Sequence, residues 1–146
     1  MYKKLMLTMV ISFIIMYIVM FLNITELNHY YTSLTRIYMA ILMVAPMAVV
    51  MILMMGKMYP DKKLNAGIIV TSGAVFILTL VALRTQTPIS DLQYMKAMIP
   101  HHSSAILTSK NANIKDPDVK KLSEEIIRAQ EEEIAEMKQI IKDLQN

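Results

Sequence analysis

LMLTMVISFIIMYIVMFLNIT, residues 5–25, is the first of three stretches in which about twenty consecutive residues carry no charged side chain. Lys4 precedes it and Glu26 ends it, and the same interval recurs between Arg36 and Lys57 and between Lys63 and Arg84. At a rise of ~1.5 Å per residue, twenty helical residues cover ~30 Å, the thickness of a bilayer's hydrocarbon core. The pattern predicts three spanning helices, roughly Leu5 to Leu22, Ile37 to Gly56 and Leu64 to Leu83. The opening MYKK also suits a signal peptide. The apolar run is longer than such peptides use, however, and Asn23, Ile24, Thr25 and Glu26 offer no small-x-small cleavage site, so an uncleaved anchor is expected.

Working outward, composition divides the chain in two. Apolar residues make up 55% of it and charged residues only 18%, an excess that a soluble domain rarely shows. Residues 1–88 hold seven Lys/Arg and two Asp/Glu, while residues 89–146 hold eight and ten. The net +3 is therefore a membrane part near +5 joined to a tail near −2, and the basic residues are membrane flanks with no bearing on nucleic acid. The expected organisation is a transmembrane region over 1–85 and a soluble helical region over 86–146, embedded in a lipid bilayer. Orientation follows from Lys3 and Lys4 before the first helix and Lys57, Lys62 and Lys63 between the second and third. These place the N-terminus in the cytoplasm and the 23–35 loop and the tail outside, with Arg84 as the one dissenting charge. A cytoplasmic (inner) membrane with a periplasmic tail is the expected setting.

The tail reads as two helices. Ser90 followed by Gln93 resembles a capping box, opening a helix from Asp91 to about Asn111 that Pro100 would bend. NANIKDPD is the turn, with Asp116 as N-cap and Pro117 at the first helical position, and the last helix runs to about Leu144. Val119, Leu122, Ile126, Ile134, Met137, Ile141 and Leu144 mark its apolar stripe. A lone pair of helices buries too little surface to be stable. It should pack on a second copy, giving a homo-oligomer, or on the membrane part. The fold class is all-α: three transmembrane helices followed by an extracytoplasmic two-helix hairpin.

Chemistry concentrates in DLQYMKAMIPHH, residues 91–102. Asp91, Met95, Met98 and His102 share a narrow arc of the helix, with Tyr94, His101 and Ala105 beside it. Thioethers and imidazoles on one stripe suit a soft metal: thioether is a poor ligand for zinc, magnesium or calcium and a good one for Cu(I), while imidazole accepts either copper oxidation state. Methionine on a helix face is also common core filler, and adjacent histidines often only hydrogen-bond their neighbours. His101 and His102 point ~100° apart, so one ion cannot easily take both from a regular helix. There is no cysteine, which removes disulfides, thiolate zinc sites and iron–sulfur clusters. No catalytic grouping or phosphate-cradling glycine loop is present, so the chain is not expected to be an enzyme.

The blocks containing Met95, Met98, Ile99, His101, His102 and Ala105, then Ile126, Gln130, Glu133, Ile134 and Met137, resemble the bacterial domain of unknown function 305 family over roughly residues 89–144. The likeness is to its membrane-bound subset. The resemblance implies a ferritin-like helical group linked to copper binding and copper tolerance. The tail would then be half of a four-helix bundle, its metal ligands Asp91, Met95, Met98, His101, His102 and Met137, and copper its cargo, Cu(I) being favoured over Cu(II). A copper transporter or chaperone would be a natural partner. Two departures stand out: Thr108 replaces a methionine many relatives carry, and one hairpin is present where many relatives have two. A di-iron centre is disfavoured, since no Glu-x-x-His pair occurs. The alternative is a structural or regulatory membrane subunit whose hairpin docks on a protein partner without metal.

A second methionine series, Met39, Met43, Met47, Met51, Met54 or Met55, and Met58, runs through the second apolar stretch. With no His, Asp or Glu in any span to mark an ion path, it reads as packing. His29, in the outer loop beside Tyr30 and Tyr31, reads as an interfacial residue.

Overall fold

The computed structural model describes residues 1–145, leaving Asn146 outside the description. The described residues form five α-helices and no strand: α1 (Tyr2–Val19), α2 (Leu34–Met54), α3 (Lys62–Thr85), α4 (Asp91–Asn111) and α5 (Pro117–Leu144), with short 3-10 turns at Leu27–His29 and Gly56–Met58. The first three are long and apolar enough to cross a membrane. The chain divides into two compact units, one of residues 1–20 and 35–88, the other of residues 21–34 and 89–146.

In the first unit α2 is the most enclosed helix. Its buried face is Ala40, Val44, Ala48 and Ile52, a four-residue repeat joined by Ala45. The methionines one position earlier in that repeat, Met39 and Met43, are 44% and 38% exposed, so alanine, valine and isoleucine rather than these two thioethers make the inner face. At the lysine-bearing end the helices are tied by polar contacts. The Tyr2 hydroxyl donates to Asn65 Oδ1 at 2.9 Å, Asn65 Nδ2 donates to the Tyr59 carbonyl at 2.8 Å, and the Tyr2 and Tyr59 rings lie 5.3 Å apart. Asp61 caps α3 by accepting from the Leu64 amide.

In the second unit α4 and α5 lie side by side over Ile99, Ile106, Ile134, Met137 and Ile141, with Leu92, Met95, Met98 and Ile127 around them. Both helix starts follow the sequence signals. Ser90 Oγ accepts from the Gln93 amide, and Asp116 accepts from the amides of Asp118 and Val119. Helix α4 runs unbroken through Pro100, which is buried.

The apolar run from Leu5 does not stay helical to Leu22. Helix α1 ends at Val19, and Phe21 turns into the second unit, 6% exposed with its ring centroid 4.1 Å from that of Tyr30. Hydropathy counts Phe21 as a membrane residue because it cannot distinguish a lipid-facing ring from one folded against a neighbouring tyrosine. Likewise α2 begins at Leu34, earlier than Ile37, where the Leu34 amide donates to Gln93 Oε1 at 2.9 Å.

The 21–34 segment thus covers one side of α4 and α5, and its attachment centres on Ser103, whose side chain is fully buried. Ser103 Oγ accepts from the Thr25 amide at 2.8 Å and lies 2.9 Å from both Thr25 Oγ1 and His29 Nδ1. These contacts are mutually satisfied when the Thr25 hydroxyl and amide donate to Ser103 and the Ser103 hydroxyl donates to an unprotonated His29 Nδ1. Asn23 Nδ2 donating to Ser104 Oγ and Lys138 Nζ donating to Asn28 Oδ1 add to the seam.

Burial lowers the pKa of His29, the nearby Lys138 ammonium lowers it further, and Glu26 partly opposes them. The unfolded chain therefore binds a proton more readily than the native one. The stabilisation from a neutral His29 is complete above the ordinary imidazole value of ~6.5 and is lost as pH falls through the lower, folded value. Thermal melts should show stability falling with acidification over this range, and more steeply in the parent than in His29→Asn, which keeps an acceptor near the Nδ1 position but cannot titrate there. Equal slopes would show that another group carries the titration.

Candidate metal centre

Packing Ile99 and Ile106 of α4 on Ile134, Met137 and Ile141 of α5 fixes the register of the two helices, and the register decides which polar groups meet. On one flank Lys110 Nζ lies 2.7 Å from Glu131 Oε1. On the other, His102 Nε2 lies 2.7 Å from Glu133 Oε2. His102 is 8% exposed while the Glu133 side chain is half exposed, so the carboxylate forms the solvent side of the pair.

The second nitrogen of His102 is also engaged: Nδ1 lies 2.9 Å from the Met98 carbonyl oxygen, one turn back along α4. A carbonyl can only accept, so Nδ1 donates to it, and Nε2 on the cavity side is the nitrogen that meets the Glu133 carboxylate. A backbone carbonyl on Nδ1 fixes the orientation of the ring, and Nε2 is the nitrogen a metal ion would take in exchange for the Glu133 contact.

The cavity beside Nε2 has a volume of about 430 Å³ and is lined by Tyr94, Met95, Met98, His102, Glu133, Glu136, Met137 and Ile140. Four of the residues singled out in the sequence therefore meet there: Met95, Met98 and His102 from α4 and Met137 from α5. Asp91 is exposed in the first turn of α4 and is not part of the lining. His101 is exposed, its ring 6.0 Å from that of His102 and nearly edge-on, and is also outside the lining.

Glu136 is the lining carboxylate that the helical stripe did not flag. Its spacing from Glu133, three residues, places both on one face of α5, and that signal was readable in the EEEIAEM run. Glu133 was separable from Glu131 and Glu132 only by its nearness to the Gln130 and Met137 stripe.

The donor set has a definite chemical character. Among the described residues no three imidazole, thiolate or carboxylate side chains converge as a metal-binding group. What lines the cavity is three methionines and one histidine with carboxylates at the edge, a residue set that would suit a soft monovalent ion such as Cu(I) better than zinc or iron. The chain residues would hold such an ion through Met95, Met98, Met137 and His102 Nε2, with the Met98 carbonyl orienting the ring.

No solved structure matches the chain. An uncharacterized protein of Acanthamoeba polyphaga mimivirus is 40% identical over 110 residues, covering 74% of this chain and 70% of the viral protein. That length exceeds what α4 and α5 contain, so the likeness reaches into the segment of the apolar helices. The family described as Domain of unknown function (DUF305) matches residues 77–143, which take in the whole of the thioether and imidazole cavity. The chain belongs to the DUF305 family.

Proposed function

We propose that this chain is a membrane-anchored, non-enzymatic copper-binding protein of the cytoplasmic membrane, holding Cu(I) outside the cell interior for sequestration or relay. The observation that carries the reading is the meeting of Met95, Met98 and Met137 with His102 around one cavity, the imidazole already oriented through Nδ1. Cu(II) would draw more on His102 and the two carboxylates. A copper transporter or chaperone would receive or deliver the ion. The outward placement of the helix pair rests on Lys3, Lys4, Lys57, Lys62 and Lys63 marking the cytoplasmic side.

A second reading keeps the helix pair as a docking module without metal. The 2.7 Å contact between His102 and Glu133 favours it, because the histidine is satisfied by the protein alone.

The helix pair is also read as half of a ferritin-like four-helix bundle that a second copy completes. On α5, Val119, Leu122 and Ile126 are 51%, 56% and 37% exposed at three- and four-residue spacing, an apolar stripe that α4 leaves uncovered.

Three measurements test these proposals. A cysteine at Gln145 should react with an impermeant thiol reagent in intact cells or spheroplasts and one at Lys57 should not; the reverse pattern overturns the orientation. A single cysteine at Leu122 should crosslink into dimers in detergent, and monomer at every concentration would assign the stripe to a different partner.

For the metal, His102→Ala and Met98→Leu should each weaken Cu(I) affinity at least ~10-fold, while Met47→Leu leaves it unchanged. Met→Leu is nearly volume-conserving and costs under ~1.5 kcal/mol, so it removes a ligand without dismantling the core. Parental copper binding by folded His102→Ala and Met98→Leu proteins would make the docking module the better account.

A further inference from the structure

The first unit carries an open apolar cavity of about 590 Å³ that the copper reading does not use. Its floor is the buried face of α2, Val44, Ala45 and Ala48, joined by Leu5 of α1. Its walls come from α1 at Met9 and Phe13 and from α3 at Ile68 and Val75. The rim residues Met6, Leu64 and Gly67 are exposed, so the cavity opens outward between α1 and α3. Gly67 contributes directly to the space, since a Cβ added there would meet no atom within 4 Å.

Depth and charge point to the occupant. From Leu64 to Val75 the lining runs about 16 Å along α3, roughly half of a ~30 Å hydrocarbon core. A spanning helix from another copy would need a groove about twice as long, whereas a lipid chain of one leaflet needs this length. The cavity ends at Leu5 and Leu64, each preceded by a lysine, Lys4 and Lys63. Lys3, Lys57 and Lys62 belong to the same end of the three helices, against Asp61 as the one acid, and that carboxylate is occupied in capping α3. Among the described residues none of the five ammonium groups has a carboxylate partner.

We propose that the first unit binds one anionic phospholipid, an acyl chain in this cavity and its headgroup among the lysines at the cavity's end. The proposal rests on α1–α3 lying in a bilayer but not on the copper site. The Tyr2–Asn65 hydrogen bond closes the groove between α1 and α3 at headgroup level, so the chain enters from the side.

The test uses the full chain in non-ionic detergent, supplied with dioleoyl phosphatidylglycerol or dioleoyl phosphatidylcholine and read by native mass spectrometry. About one phosphatidylglycerol should be retained per chain, with phosphatidylcholine ~10-fold weaker. The Lys62→Gln/Lys63→Gln variant should lower phosphatidylglycerol retention toward the phosphatidylcholine level, and Gly67→Leu, which fills the cavity, should lower retention of both.

Equal retention of the two lipids, or undiminished retention by a folded Gly67→Leu protein, overturns the proposal. So does a dimer that buries this face with no lipid bound. A chain recovered in the soluble fraction of broken cells without detergent instead defeats the membrane reading itself, which separates the two failures.

Discussion

The contact between Ile99 and Ile106 on one helix and Ile134, Met137 and Ile141 on the other is the constraint on which the second unit depends. Apolar packing of this kind has no direction of its own, but two helices can bring these side chains together in few registers. The register that buries all five also sets His102 against Glu133 and Lys110 against Glu131. Met137 belongs to both the core and the cavity, so the cavity is an edge of the core and inherits its rigidity.

Three successive residues of α4 serve three different surfaces because each step along a helix turns the side chain by ~100°. His101 meets solvent, His102 faces the thioether cavity, and Ser103 points to the 21–34 segment. A change in the rotation of α4 would move all three together. The clasp at Ser103 and the orientation of His102 are therefore mechanically linked, although their hydrogen bonds share no atom.

Much of this was legible in the sequence. Charge-free intervals located α1, α2 and α3, and Ser90, Asp116 and Pro117 located the starts of α4 and α5, because these signals are local. The stripe through Met95, Met98 and His102 was legible for the same reason, and Met137 came from a second block. The docking of residues 21–34 was not legible. It depends on Thr25 and His29 meeting Ser103 more than seventy residues away, and nothing in a TELNHYY loop announces a fully buried serine elsewhere. Asp91 illustrates the same limit: helical angle alone placed it on the arc of Met95, Met98 and His102, but the arc extends past the end of the cavity.

Methionine is the residue on which local reading is weakest, since the same side chain fills gaps and binds soft ions. Its neighbours separate the two uses. In α2 the series beginning at Met39 and Met43 flanks an inner face of alanine, valine and isoleucine and lies beside no imidazole or carboxylate within its span. In the second unit the thioethers of Met95, Met98 and Met137 share a cavity with an oriented imidazole and two carboxylates. A thioether binds copper usefully only where other donors complete the coordination sphere, so the polar neighbours, rather than the methionine spacing, carry the distinction.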